Sequence, residues 1–127
     1  MVPNLGNQPV PNWEILHLRT FRHIRELIHE GLADGIDVAD LSIQTGRSRR
    51  SIEHLFSDLL ETSPARYIRS LRLNGIRRAL LCEDTSDRSV GDIAAQWGIW
   101  HWSRFAADYR KMFGELPSQT RRMVTNK

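Results

Sequence analysis

The 127-residue chain is predicted to be all-α, with about seven helices forming two helix-turn-helix subdomains joined by a long connecting helix. Three observations lead there. Apolar residues recur every three or four positions in successive windows, the spacing of a helix face. Helix-start signals such as Ser63-Pro64 punctuate the chain, and no window shows the sustained period-two alternation of a strand. Finally, one segment repeats itself about 52 residues later.

Taken in order, residues 1–12 carry Pro3, Pro9 and Pro11 among Asn4, Asn7 and Asn12, a composition expected of a flexible tail or linker. Asn12 is placed to cap a first helix whose apolar stripe is Ile15, Leu18, Phe21, Ile24 and Leu27 or Ile28. Gly31 to Gly35 ends it. A short second helix starts at Asp37 or its neighbour, carries Val38 and Leu41, and closes at Gly46. Ser48 caps a third, with Ile52, Leu55, Phe56, Leu59 and Leu60 facing inward. Ser63 supplies a cap oxygen for the fourth, and Pro64 sits where its missing N–H is harmless. This helix runs to about Leu81 on Tyr67, Ile68, Leu71, Ile76, Ala79 and Leu80. Asp84 to Arg88 forms a polar loop. Ser89 with Asp92 resembles a capping box and opens a fifth helix, which turns at Gly98. A sixth helix reaches Phe113, and a short one follows Pro117. The resulting division is a tail at 1–12, a first subdomain at 13–62, the connecting helix at 63–82 and a second subdomain at 83–127.

The repeat is the most informative feature. Val38-Ala39-Asp40-Leu41-Ser42-Ile43-Gln44-Thr45-Gly46 lies over Val90-Gly91-Asp92-Ile93-Ala94-Ala95-Gln96-Trp97-Gly98. After one extra residue in the second turn, Ile52, Phe56 and Pro64 lie over Phe105, Tyr109 and Pro117. Each copy reads as short helix, glycine, short turn and capped helix. Glycine accepts the left-handed backbone that ends the first helix, and the turn sets the second at a steep angle. In that geometry the first helix lies across phosphates while the second enters a major groove.

Charge agrees with a polyanionic partner. Lys and Arg outnumber Asp and Glu by 18 to 15, and between Thr62 and Cys82 stand Arg66, Arg69, Arg72, Arg77 and Arg78 with no acidic residue. A solvated helix face would look the same, so the block alone does not decide. Cys82 is the single cysteine, which rules out an internal disulfide and suits a reducing compartment; after Leu80-Leu81 it reads as a small buried or half-buried residue. No apolar run nears the ~20 residues of a membrane span, so a cytoplasmic protein is expected. Enzyme signatures do not converge: there is no glycine-rich phosphate loop, no HExxH and no cysteine pair. His17, His23 and His29 fall six residues apart and drift around their helix, so no metal or other cofactor is expected.

Several stretches together carry a family resemblance: Ser48-Arg49-Arg50-Ser51-Ile52-Glu53-His54-Leu55-Phe56, then Thr62-Ser63-Pro64-Ala65-Arg66-Tyr67-Ile68 with Leu71-Arg72-Leu73, then Asp92-Ile93-Ala94 with Gly98, and Ser103-Arg104-Phe105 through Tyr109 to Pro117. From about Ile15 to Arg122 the chain resembles the DNA-binding domain of AraC/XylS-type bacterial transcription regulators. It departs at Ile99, where the family commonly has an aromatic residue, at Trp100, His101 and Trp102, where small or polar residues are usual, and at Arg47, often apolar. The resemblance implies a sequence-specific activator that touches base edges with Arg50, Glu53 and His54 of the first motif and Trp102, Ser103, Arg104 and Ala107 of the second. The chemistry is compatible: arginine pairs with guanine O6 and N7, glutamate accepts from cytosine N4, and alanine meets a thymine methyl. Glu53 is either such a reader or a surface charge that rejects wrong bases. Trp102 either meets DNA or folds back on the core with Trp97.

Phosphate anchoring falls to Arg47, Ser48, Arg49, Arg66, Arg69, Arg72, Arg110 and Lys111, so Arg72→Ala is expected to weaken all sequences alike. A connecting helix of about 18 residues is ~27 Å long, somewhat short of the ~34 Å of one DNA turn, which lets both recognition helices address adjacent major-groove segments. Double-stranded DNA is the expected partner, with RNA polymerase as a protein partner. A second reading makes the chain a protein-interaction module docking through Trp97, Trp100 and Trp102. Family members commonly carry a separate effector-binding or dimerisation domain, expected to be absent from this chain, which is either the C-terminal portion of a longer protein or a stand-alone regulator.

Overall fold

The start signals at Asp37, Ser48, Ser63 and Ser89 are realised as caps, and these fix the register of their helices. The computed structural model describes residues 12–125, in which seven helices follow one another: α1 (Asn12–Gly31), α2 (Val38–Thr45), α3 (Arg49–Leu60), α4 (Pro64–Leu80), α5 (Val90–Gln96), α6 (Trp102–Phe113) and α7 (Pro117–Thr125), with a 3-10 turn at Glu83–Thr85. No strand occurs among the described residues, and apart from Asn12, which opens α1, the expected tail lies outside them.

Asp37 and Asp40 form a reciprocal capping box: Asp40 N–H donates to Asp37 Oδ1 at 2.9 Å and Asp37 N–H to Asp40 Oδ2 at 3.0 Å. Ser48, Ser63 and Ser89 each accept from the amide three residues on, those of Ser51, Arg66 and Asp92. One start differs from expectation. α6 begins after His101, whose side chain makes no cap bond. The longer second turn puts an imidazole where the first motif has a hydroxyl, so the motifs share a plan, but α3 is side-chain capped and α6 is not.

Two hydrophobic clusters build the core. Ile24 and Ile28 of α1, Leu32 and Ile36 of the following turn, Leu41 of α2, Ile52, Leu55 and Phe56 of α3 and Ile68 of α4 form the first. Leu73, Ile76 and Leu80 of α4, Ile93 and Ala94 of α5, and Phe105 and Tyr109 of α6 form the second. α4 belongs to both because its buried residues change face, from Ile68 to Leu73 and onward. Trp97 touches both clusters. Its indole lies against α4 at Gly75, where a β-carbon would collide with the ring.

Three sequence expectations need correcting: Leu60, expected to face inward, is 41% exposed as the last residue of α3, and two more concern α1 and Cys82. Ile15 and Leu18 are 39% and 52% exposed; the first cluster takes up the α1 stripe only from Phe21 onward, so among the described residues nothing covers the first turns of α1. Cys82 is exposed, because α4 has already ended at Leu80 and the cysteine stands at the head of the 3-10 turn. That turn is tied down from far along the chain. Arg121 of α7 is buried and donates to the carbonyl oxygens of Leu80 (3.1 Å), Thr85 and Arg88 (2.7 Å) and to Thr85 Oγ1 (3.1 Å).

Candidate nucleic-acid interface

In the first motif, α2 ends at Gly46, whose φ of 70° closes the helix, and Ser48 starts α3 two residues later. Burying Ile52, Leu55 and Phe56 turns the opposite face of α3 outward. Arg49, Arg50, Glu53 and His54 are all exposed on it. The first turn of α3 holds no acidic residue but two arginines, although cations oppose the positive end of the helix dipole. That arrangement weakens the helix slightly and suits a bound anion. Arg49→Glu is therefore expected to raise stability by roughly 0.3–1 kcal/mol while weakening DNA binding, checked by thermal melting alongside a titration. A variant that melts lower, or binds equally well, removes this reading of Arg49.

Arg47 leans back on α1, its Nη2 donating to Thr20 Oγ1 at 3.2 Å, and its own carbonyl accepts from Ser42 Oγ at 2.6 Å. Ser48 Oγ is occupied as a cap acceptor, leaving its hydroxyl proton for another partner.

In the second motif, Trp102, Ser103, Arg104 and Ala107 are exposed along α6, with Arg110 and Lys111 beyond them. Trp102 resolves the choice posed by the sequence in an intermediate way. Its ring stands edge-on to buried Phe105, with centroids 5.5 Å apart, while the residue stays 55% exposed. It does not join Trp97, which is half-buried at the junction of the two clusters. Trp100 is 70% exposed. The three tryptophans thus form no single docking surface. A groove between the motifs is lined by Asp37, Arg69, Trp100, His101, Arg104 and Asp108.

The arginine block of α4 divides once folded. Arg66 and Arg78 are exposed. Arg69 pairs with Asp108 of α6 at 3.7 Å, a partner the sequence reading missed because it lies 39 residues away. Arg77 lies 3.2 Å from Glu115 and over the Phe113 ring. Arg72 corrects the expectation outright. Its Nε donates to the Trp97 carbonyl at 3.0 Å, and its Nη2 to the carbonyls of Ile36 at 2.9 Å and Leu32 at 3.4 Å. Burial lowers its pKa, partly offset by the Asp37 carboxylate. A guanidinium already directed at three carbonyls is an internal brace and is withdrawn from the phosphate set. The signal was absent from local sequence, since its acceptors are backbone atoms 25 to 40 residues away.

Two helix-turn-helix motifs sharing one long helix, each presenting an exposed recognition face, define a twin-motif DNA-binding domain of the transcription-regulator type. Residues 41–123 match the helix-turn-helix domain family HTH_18. The chain belongs to this AraC/XylS-type family. It is similar to the XylDLEGF operon transcriptional activator of Pseudomonas putida, 38% identical over 103 residues that cover 81% of this chain and 32% of that protein. It also resembles the probable thc operon regulatory protein of Rhodococcus erythropolis, 36% identical over 70% of this chain and 27% of that protein. The chain therefore spans about a third of the length of these relatives. Among solved structures, a probable AraC family transcriptional regulator from Rhodopseudomonas palustris superposes with a TM-score of 0.69 at 30% identity, covering 81% of this chain and 94% of that one. The DNA-binding domain of AdpA, solved in complex with a target DNA, shares the fold with a TM-score of 0.72 at 24% identity, covering 83% of this chain and 92% of that one.

Proposed function

We propose that this chain is the sequence-reading unit of a bacterial transcription activator, placing α3 and α6 in adjacent major-groove segments of double-stranded DNA. The observation that carries this reading is the exposure of all seven candidate base readers, Arg50, Glu53, His54, Trp102, Ser103, Arg104 and Ala107, on the two recognition helices. Their opposite faces are the buried ones. The names of the relatives, operon activators and regulators, support it. Arg47, Ser48, Arg49, Arg66, Arg69, Arg110 and Lys111 serve as phosphate contacts, with Arg69 sharing its charge with Asp108.

On this reading 13–62 and 83–127 act as reading subdomains and 63–82 as their spacer. RNA polymerase is the protein partner an activator requires, and the site of action is the bacterial cytoplasm; no described helix is long and apolar enough to cross a membrane. The chain acts by binding and not by catalysis.

The test is selection of bound duplexes from random DNA, followed by Arg50→Ala. The variant should relax preference at one base pair and lose about 1–3 kcal/mol on the selected sequence. A uniform loss across all sequences would move Arg50 into the phosphate set, and no bound duplex even at low salt would overturn the DNA reading.

A further inference from the structure

Four features meet where the two motifs touch. The Arg72 guanidinium joins α4 to the carbonyls of Leu32 and Ile36, in the turn that ends α1, and to that of Trp97, at the end of α5. The Leu32 and Trp97 carbonyls follow the last residues of α1 and α5, where helix-end carbonyls carry partial negative charge, while the Ile36 carbonyl lies just before the start of α2, so one cation joins the connection between α1 and α2 to the end of α5. Gly98, with φ of 79°, brings the turn of the second motif directly onto the first: a β-carbon there would collide with the Leu32 carbonyl and stand 3.0 Å from the Gly35 nitrogen. Trp97 fills the angle against Gly75. Trp100 extends over Gly35, whose β-carbon position lies 3.7 Å from its indole nitrogen. Residues 81–89 separate α4 from α5, so the placement of the second motif against the first is set by the cluster it shares with α4 and by these contacts.

We propose that Arg72 is a positioning residue for DNA recognition. By tying the α1–α2 connection and the end of α5 to α4, it fixes the separation and angle of α3 and α6, and hence the spacing of the two half-sites the protein accepts. Gly98 serves the same purpose by permitting the contact. This rests on the DNA reading above and adds a specificity determinant that touches no nucleotide. One inserted base pair shifts a half-site by ~3.4 Å along the axis and rotates it by roughly 34° around it. A seam that cannot give rejects both displacements.

The measurement uses the selected duplex and versions with one base pair removed, or one or two added, between the half-sites. The full chain is compared with Arg72→Lys, which keeps a charge but replaces the planar fork with a point donor, and with Gly98→Ala. The parent should lose about tenfold or more in affinity on a one-base-pair change. Both variants should show a flattened spacing profile, with reduced affinity for the best duplex and unaltered base preference within each half-site. A spacing profile unchanged in Arg72→Lys overturns the proposal while leaving DNA binding intact. So does an equal loss at every spacing with a salt slope reduced by about one, the mark of a phosphate contact. A parent that binds no duplex overturns the DNA reading and this proposal with it.

A second readout needs no DNA. Spin labels at Ser57→Cys and Met112→Cys, both exposed positions on α3 and α6, in a Cys82→Ser background, should give one narrow distance distribution. Arg72→Lys should broaden it, with helicity retained. An equally narrow distribution in the variant also overturns the proposal.

Discussion

Replacing Phe56 by alanine is expected to remove roughly 3–5 kcal/mol of stability, a large share of the ~5–15 kcal/mol a domain commonly holds. Phe56 is fully buried on the inner face of α3. Its ring meets Phe21 of α1 edge-on with centroids 5.3 Å apart and Tyr67 of α4 at 5.4 Å. Truncation removes apolar burial, two aromatic contacts and the filler of a space bounded by three helices, which cannot close on it together. Because α4 serves both clusters, the loss should appear in one cooperative transition, followed by helix signal and tryptophan fluorescence in urea. Coincident curves with a midpoint shifted to lower urea are expected. A cost below about 1 kcal/mol, or separate transitions for the two probes, would contradict the shared-helix core.

Salt should act still more visibly on function. With Arg72 turned inward, six cationic side chains remain in the proposed phosphate set: Arg47, Arg49, Arg66, Arg69, Arg110 and Lys111. Each contact releases condensed counterions, so affinity should fall by roughly three decades between 50 and 200 mM monovalent salt. Arg66→Ala should weaken all sequences alike and reduce the slope by about one. Arg69→Ala should change it less, since Asp108 already neutralises part of that charge at 3.7 Å. A slope shallower than about two would mean that most of these side chains do not reach the backbone. Docking through exposed Trp100 and Trp102 would instead leave affinity nearly independent of salt.

Local rules carried the reading of this fold a long way. Ser48, Ser63-Pro64 and Ser89 act within three residues of themselves, so their caps follow from sequence alone. The repeat located both recognition helices because the spacing of Ile52 and Phe56, or of Phe105 and Tyr109, decides which face is buried and so which is exposed. Reading failed where the deciding partner was remote. Arg72 looks like its neighbours on α4, but its acceptors are the carbonyls of Leu32 and Ile36, between α1 and α2, and of Trp97, at the end of α5. Ile15 and Leu18 continue a valid helical stripe, yet periodicity cannot tell how far along a helix its neighbours extend. Leu80-Leu81 suggests burial for Cys82, yet α4 ends at Leu80 and Leu81 is itself 38% exposed beyond it. The tryptophans share a sequence neighbourhood without sharing a surface. Trp97 is drawn inward by the missing side chain at Gly75, and Trp102 rests on Phe105.

The hold of Arg121 on the Glu83–Arg88 loop bears on how such regulators can be recombined. The motif that α5 and α6 form reads as finished at Phe113, and a chimera joined there would keep every proposed DNA contact. It would also discard the guanidinium that closes the passage from α4 into α5, together with Thr120, which accepts the buried Tyr109 hydroxyl at 2.7 Å. The exchangeable cassette is accordingly longer than the part that reads DNA, and its downstream junction belongs beyond Val124.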